Sequence, residues 1–231
     1  MPDLDAYALD LAAGLWFALS VVIFHQLVNR KGFRDRSIAG AIQAQRVQWM
    51  RNMADRENRL VDTQVLQALS QGNAFFASTS AIAIGGLAAL MGSGDTAQVL
   101  LERIPYVAKS PSALFEIKLV LLATIFVFAF FKYAWAFRLS HYTGIMIGAT
   151  PIPTASNADE CDLHARRTAA LIGIAAEHAN TGLRSYYYSA ATLAWFFHPL
   201  LFIAATTWVL IILVRREFFS RSYRIISGQW P

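Results

Sequence analysis

The run ALFEIKLVLLATIFVFAFFKYAWAF, residues 113–137, decides the fold of this chain. A helix rises about 1.5 Å per residue and the hydrocarbon layer of a bilayer is about 30 Å thick, so about 20 apolar residues cross it. The run exceeds that length, with Glu116 and Lys118 near one end and Lys132 near the other. Working outward, residues 73–92 and 189–214 reach a spanning length as well. Residues 11–28 are slightly shorter, but no charge lies between Asp10 and Arg30, so they count as a span too. The sequence therefore predicts an all-α membrane bundle of four transmembrane helices, with amphipathic helices on the inner face.

Composition agrees. Hydrophobic residues make up 56% of the 231 residues and charged residues 15%, more apolar and less charged than a soluble domain. Four spans and two connecting segments fill the chain, which reads as a single integral membrane domain, 1–231. The net charge of +5 would suggest nucleic acid in a soluble protein. Here most of the excess is Arg beside the spans, where it meets anionic headgroups, so the lipid bilayer is the expected partner and nucleic acid is not. Cys161 is the only cysteine, which excludes an intrachain disulfide, a CxxC redox pair and a cysteine-based metal site within one chain. The N-terminus reads Met1-Pro2-Asp3-Leu4-Asp5, without a basic n-region or cleavage site, so the first apolar run is expected to be a retained span.

Cations near span ends set the expected orientation. With the N-terminus outside, twelve Lys and Arg fall inside, from Arg30 to Arg59 and at Arg138, Arg166, Arg167 and Arg184. Six fall outside: Arg103, Lys109, Arg215, Arg216, Arg221 and Arg224. The acidic start, with Asp3, Asp5 and Asp10, adds no cation, so both termini are expected outside, in a bacterial inner (plasma) membrane.

Two inner segments join the spans. Residues 37–71 lack proline and repeat apolar residues at helical spacing, which predicts one long amphipathic helix ended by Gly72. In the second, residues 142–153 are rich in Gly and Pro and predict a loop, and residues 159–184 predict a further inner helix.

No motif specifies a reaction, and no catalytic, cofactor-binding or metal-ligating residue is assigned. Asp159, Glu160, Cys161, Asp162 and His164 are ligand types, but an acidic helix start accounts for them equally well. His25 and His198 lie inside spans, where a polar side chain marks a functional hypothesis. Their unequal depth argues against a shared haem and favours interhelical hydrogen bonds. In the second span Ala77, Ala81, Gly85 and Ala89 form a stripe of small residues for close helix packing, and Ser78, Thr79 and Ser80 could instead line a polar path. Arg59, Asp62, Asn180 and Arg184 form an expected inner-face polar cluster, with Arg184 reaching Asp62 or Asp55.

The pieces Arg46-x-x-Trp49-Met50-x-x-Met53, Asn58-Arg59-x-x-Asp62, Phe75-Phe76-Ala77-Ser78-Thr79-Ser80 and Gly85-Gly86-Leu87 resemble, in order and spacing, the domain-of-unknown-function family 599. So do Asn180-x-Gly182-x-Arg184-x-Tyr186-Tyr187 and Ala194-Trp195-Phe196-x-x-Pro199. That family comprises multi-span membrane proteins of bacteria and plants. The resemblance implies membrane location and supplies no activity or cofactor. The functional expectation is a non-enzymatic membrane protein that self-associates or joins another membrane protein in a complex. One rival is an oligomeric channel or transporter with its path along the second span; the other is a haem- or metal-dependent membrane redox protein.

Overall fold

The computed structural model describes residues 4–34, 36–93, 95–104, 107 and 110–229. Asp3 and Lys109 of the charge tally lie outside the described residues. The described residues form helices and no strand: α1 (Leu4–Asn29), α2 (Lys31–Arg34), α3 (Ile38–Ala54), α4 (Leu60–Gly92), α5 (Asp95–Glu102), α6 (Ser112–Gly148), α7 (Ala158–Leu193), a 3-10 turn (Ala194–Phe196), α8 (Pro199–Phe218) and α9 (Arg221–Ile226). Four stretches are long and apolar enough to cross a membrane, Tyr7–Val28, Leu60–Gly92, Ser112–Gly148 and Pro199–Ile226. This is the all-α bundle with four apolar helices that the sequence predicts.

The helix boundaries depart from expectation in three places, each for a local reason. Residues 37–71 are not one helix. α3 starts at Ser37, whose side chain accepts from the Gly40 N–H, and ends at Asp55; α4 starts at Leu60, whose N–H donates to Asn58 Oδ1 at 2.9 Å. Gly72 lies inside α4 and does not end it, because one glycine in a long helix costs only about 1 kcal/mol. The Gly/Pro-rich stretch stays helical to Gly148, and only beyond it, before Pro151 and Pro153, does the chain open. Finally, residues 189–214 are not a kinked span. α7 stops at Leu193, and α8 begins at Pro199, whose fixed φ and missing N–H suit the first helical position. His198 caps α8, its Nδ1 accepting from the Leu200 N–H at 3.1 Å.

α7 thereby becomes a full-length member of the bundle. At one end, here the upper, the Trp195 indole N–H donates to Asp10 Oδ1 at 2.6 Å, Lys118 lies 3.7 Å from the same oxygen, and the Phe115 and Phe196 rings meet edge to face. Leu87 of α4 packs there against Phe115, Leu119 and Leu122 of α6. At the lower end Arg51 of α3 pairs with Asp162 of α7 at 2.7 Å, and Phe33 meets Phe218. The buried cluster Met50, Met53, Leu66, Ile147, Ala165, Ala169 and Ile172 ties α3 to the lower parts of α4, α6 and α7. Five helices thus run between the same two ends, alternating in direction, with α8 returning downward beside α1. The C-terminal helix α9 packs on α3 at the lower end. Along the bundle α1 begins at the upper end and the chain reaches α9 at the lower one, whereas the cation tally expects both termini on one side. Reading the polar stretch 159–184 as an inner helix hid one crossing of the bundle.

Contacts along α7 explain how a polar helix fits among apolar ones. Gly182 faces the Tyr133 ring so closely that an added Cβ would sit 2.6 Å from Tyr133 Cε2. Tyr133 stacks on Phe76, and Tyr186 closes the cluster by donating to the Phe76 carbonyl at 3.0 Å and bonding Ser80 Oγ at 2.9 Å. Buried Ser20, Ser140, Thr143, Thr168 and Thr192 each donate to the carbonyl four residues back. Their hydroxyls are satisfied without a partner helix.

The small-residue stripe of α4 is not the packing face within the chain. Ala81, Gly85 and Ala89 are exposed, and a Cβ built on Gly85 meets nothing within 4 Å. The packing face is displaced around the helix, to Asn73, Ser80 and Leu87, all buried. Small size marks close approach only where a neighbour is present, and here Gly182 has that neighbour. Gly182→Ala should lower stability by about 1 to 3 kcal/mol, as overpacking does, and Gly85→Leu should leave it unchanged. Thermal melting of the two variants in mild detergent checks both; a Gly182→Ala protein that melts like wild type would show that the Tyr133 ring can move aside freely.

Candidate functional site

A concavity lies at the lower end, lined by residues of α1, α3, α7 and α8. Its volume is about 740 Å³. α3 contributes Ile38, Ile42, Gln43 and Arg46; α7 contributes Gly173, Glu177, Asn180, Leu183 and Arg184; α8 and the turn after it contribute Arg216, Glu217 and Ser220. Helical spacing explains the α7 set, since 173, 177, 180 and 184 recur at three or four residues and share one face.

Gly173 opens the wall. Gln43 reaches over it to donate to the Ala169 carbonyl at 3.0 Å, so close that a Cβ at 173 would strike Gln43 Oε1. The same oxygen accepts from Arg46 Nη1 at 3.2 Å, the one hydrogen bond of that guanidinium among the described residues. Burial pushes the Arg46 guanidinium below its ordinary pKa, and no carboxylate offsets that burial. Deeper in, Arg184 Nη2 lies 3.6 Å from Glu217 Oε2, and the guanidinium rests over the Phe24 ring at 4.9 Å. The Glu217 side chain is 4% exposed and that of Arg184 13%. The pair leaves polar capacity unused, because Arg184 Nε and Glu217 Oε1 are buried without a hydrogen-bond partner. Arg216 turns to Tyr187, donating to its hydroxyl at 3.3 Å.

The expected inner-face cluster divides in two. Asn180 and Arg184 line the cavity, whereas Arg59 and Asp62 belong to a separate brace at the foot of α4. There Asp62, fully buried, accepts from Trp49 Nε1 at 2.6 Å and from Arg56 Nη1 at 2.7 Å, and Arg59 donates to the Thr150 carbonyl at 3.2 Å. Arg184 therefore pairs with Glu217 and not with Asp62 or Asp55. Glu217 escaped the sequence reading because the fourth span, drawn through 189–214, placed it across the membrane from Arg184.

The remaining candidates are dispersed. His198 caps α8 at the upper end, and His25 is an exposed residue about 22 Å further along α1 from the level of Asp10, so the two share no centre. At the upper end the interhelical hydrogen bond is that of Trp195 to Asp10. Ser78 is exposed, Thr79 donates to the Phe75 carbonyl and Ser80 bonds the Tyr186 hydroxyl, so the three hydroxyls diverge and do not line one path. Of the ligand-type cluster, Asp162 pairs with Arg51 and Arg166, and His164 Nε2 meets the Met146 carbonyl at 2.8 Å. No group of three or more potential ligands converges among the described residues. Lys118, 1% exposed, is held by Asp10 and Ser110 and not by Glu116.

The profile of the family described as "Protein of unknown function, DUF599" matches residues 12–222. The chain belongs to this family. The match takes in every wall of the cavity, from Val28 to Ser222. No curated protein and no solved structure matches the chain.

Two outcomes follow from the ion pairs. Glu217→Ala strands a buried guanidinium and should cost about 3 kcal/mol, with part recovered in the Arg184→Ala, Glu217→Ala double variant; a melting series in detergent reads both. Arg166 and Arg51 hold the Asp162 carboxyl below its ordinary value by hydrogen bonding. Its contribution is therefore present at neutral pH and is lost as pH falls below the ordinary carboxylate range, through the folded value. Melting against pH should show an acid-side loss that is smaller in Asp162→Asn.

Proposed function

We propose that this integral membrane protein is a non-enzymatic ligand-binding component of the bacterial cytoplasmic membrane, crossing the bilayer five times with its cavity on the cytoplasmic side. The observation that carries the binding role is the buried Arg184–Glu217 pair, which walls a 740 Å³ space with one donor and one acceptor unpartnered. Native structures satisfy nearly all such groups, so a buried pair left incomplete at a cavity wall favours a site that is completed by a ligand. Binding fits better than catalysis, because the polar groups facing the cavity are guanidinium, carboxylate, amide and hydroxyl, with no nucleophile activated by a neighbouring base.

The orientation rests on charge. With α7 crossing, Arg215, Arg216, Arg221 and Arg224 join the twelve cations of the lower end, which makes sixteen. Arg103 and, by sequence position, Lys109 belong to the upper end, between α5 and α6, as does Lys118, which is buried against Asp10. The C-terminal Arg cluster thus supports the positive-inside distribution that it contradicted in a four-crossing arrangement. The uncovered stripe Ala81, Gly85 and Ala89 favours, as a second reading, association with a neighbouring membrane helix, in a homo-oligomer or a larger complex.

Single cysteines at Ser93, Thr154 and Ser227, each exposed, test the topology in a Cys161→Ala background. An impermeant thiol reagent should label Ser93→Cys in intact cells, and Thr154→Cys and Ser227→Cys only after lysis. Labelling of Ser227→Cys from outside, with Thr154→Cys protected, would remove the fifth crossing.

A further inference from the structure

We infer that the lower cavity binds an anionic phosphodiester whose headgroup carries hydroxyls, the chemistry of phosphatidylglycerol in the inner leaflet. This inference rests on the cavity-binding reading above and names its ligand. Three guanidiniums line the space, those of Arg46, Arg184 and Arg216, against two carboxylates, Glu177 and Glu217. The balance is one positive charge, which a single phosphodiester neutralises. Arg46 is the anchor, since it is desolvated, has Gln43 as its one hydrogen-bond partner among the described residues, and meets no carboxylate. Guanidinium forks bind phosphate oxygens in pairs, which makes a half-buried Arg without a counter-charge a natural phosphate contact.

Glu217 adds the second half of the specificity. Its Oε1 is buried, has no hydrogen-bond partner among the described residues and accepts only, so a headgroup hydroxyl that reaches it completes the pair. A glycerol headgroup supplies hydroxyl donors beside its phosphate. A choline headgroup supplies none, and its fixed cation cancels the phosphate charge, so the lipid leaves the positive balance of the lining uncompensated. The apolar remainder of the wall, Val28, Ile38, Ile42 and Leu183, offers a surface for acyl chain next to the polar pocket. The depth is suitable as well: α1 and α8 end at the cavity while α3 caps it from below, which places the polar groups at the level of inner-leaflet headgroups.

The source of the phosphodiester, lipid or soluble, separates experimentally. Delipidated protein in mild detergent is titrated with phosphatidylglycerol, phosphatidylcholine and the soluble phosphodiester glycerophosphoglycerol, and thermal melting and native mass spectrometry read binding. Phosphatidylglycerol should raise the melting temperature and remain bound, phosphatidylcholine should bind at least about tenfold more weakly, and Arg46→Gln should reduce phosphatidylglycerol affinity about tenfold, the scale of one charge-assisted contact. Equal stabilisation by glycerophosphoglycerol would keep the phosphodiester site and assign it to a soluble ligand. Arg46 makes one hydrogen bond within the protein, so the variant should fold; Ile42→Trp, which fills the space from α3, gives an independent block whose unliganded melting is checked first. Phosphatidylcholine binding as tightly as phosphatidylglycerol, with the same sensitivity to Arg46→Gln and Ile42→Trp, would overturn the headgroup assignment and keep the cavity as a binding site. Phosphatidylglycerol binding that neither substitution alters would overturn the site itself.

Discussion

Inside a bilayer no water is available to complete a hydrogen bond, so every polar group carried into the apolar layer must find its partner in protein. α7 carries more such groups than any other long helix of this chain, among them Glu177, Asn180, Arg184 and the tyrosines 186–188. It lies among neighbours, with α4 and α6 on one side, α1 and α8 on the other, and α3 against its lower half. The four apolar helices supply the lipid-facing surface, and α7 supplies most of the polar interior. Removing water from that interior raises the cost of any unpaired group, which is why the contacts along α7 are so specific.

Three contacts at different heights fix α7 in register. At the top, Trp195 donates to Asp10, whose carboxylate also faces buried Lys118. Halfway down, Gly182 admits the Tyr133 ring and Tyr186 bonds to α4. At the bottom, Asp162 holds Arg51 of α3. A slip of one residue rotates a helix by about 100° and would break all three together. Buried ion pairs such as Asp10–Lys118 add little net stability over apolar packing, yet they penalise every arrangement in which one partner is left alone. Their role here is to select one arrangement of the helices.

How far this fold could be read from the sequence depends on which property each element displays. α1, α4, α6 and the apolar part of α8 announce themselves because about 20 apolar residues have no other stable location. α7 does not, because a helix shielded from lipid by its neighbours need not be apolar, and its partners Tyr133, Phe76 and Glu217 lie far away in sequence. Pro199 was legible as a disruption, but a kink and a helix start use the same residue, and only the return of Trp195 to Asp10 decides between them. The stripe Ala77, Ala81, Gly85, Ala89 shows the converse failure: spacing reveals a helix face and says nothing about what lies opposite it. Of the site, Asn180 and Arg184 were within reach as polar residues at membrane depth. Arg46 and Glu217 were not, since each gains meaning only from the fifth helix.

The position of the cavity also bears on whether a ligand is held or passed on. A transport path needs polar surface continuing to the opposite face. Beside Arg184 on α7 the interior is occupied by the Tyr133 ring against Gly182, stacked on Phe76, and just above it stands Tyr186, whose hydroxyl is already engaged by the Phe76 carbonyl and Ser80. Higher still come Tyr188, Phe17, Phe202 and Trp195, packed as one buried cluster. Opening such a stack means moving several large rings out of close packing at once, and interiors packed this densely do not yield by small adjustments. A cavity closed above by aromatic rings therefore favours retention of a ligand at the inner face over its passage through the bundle.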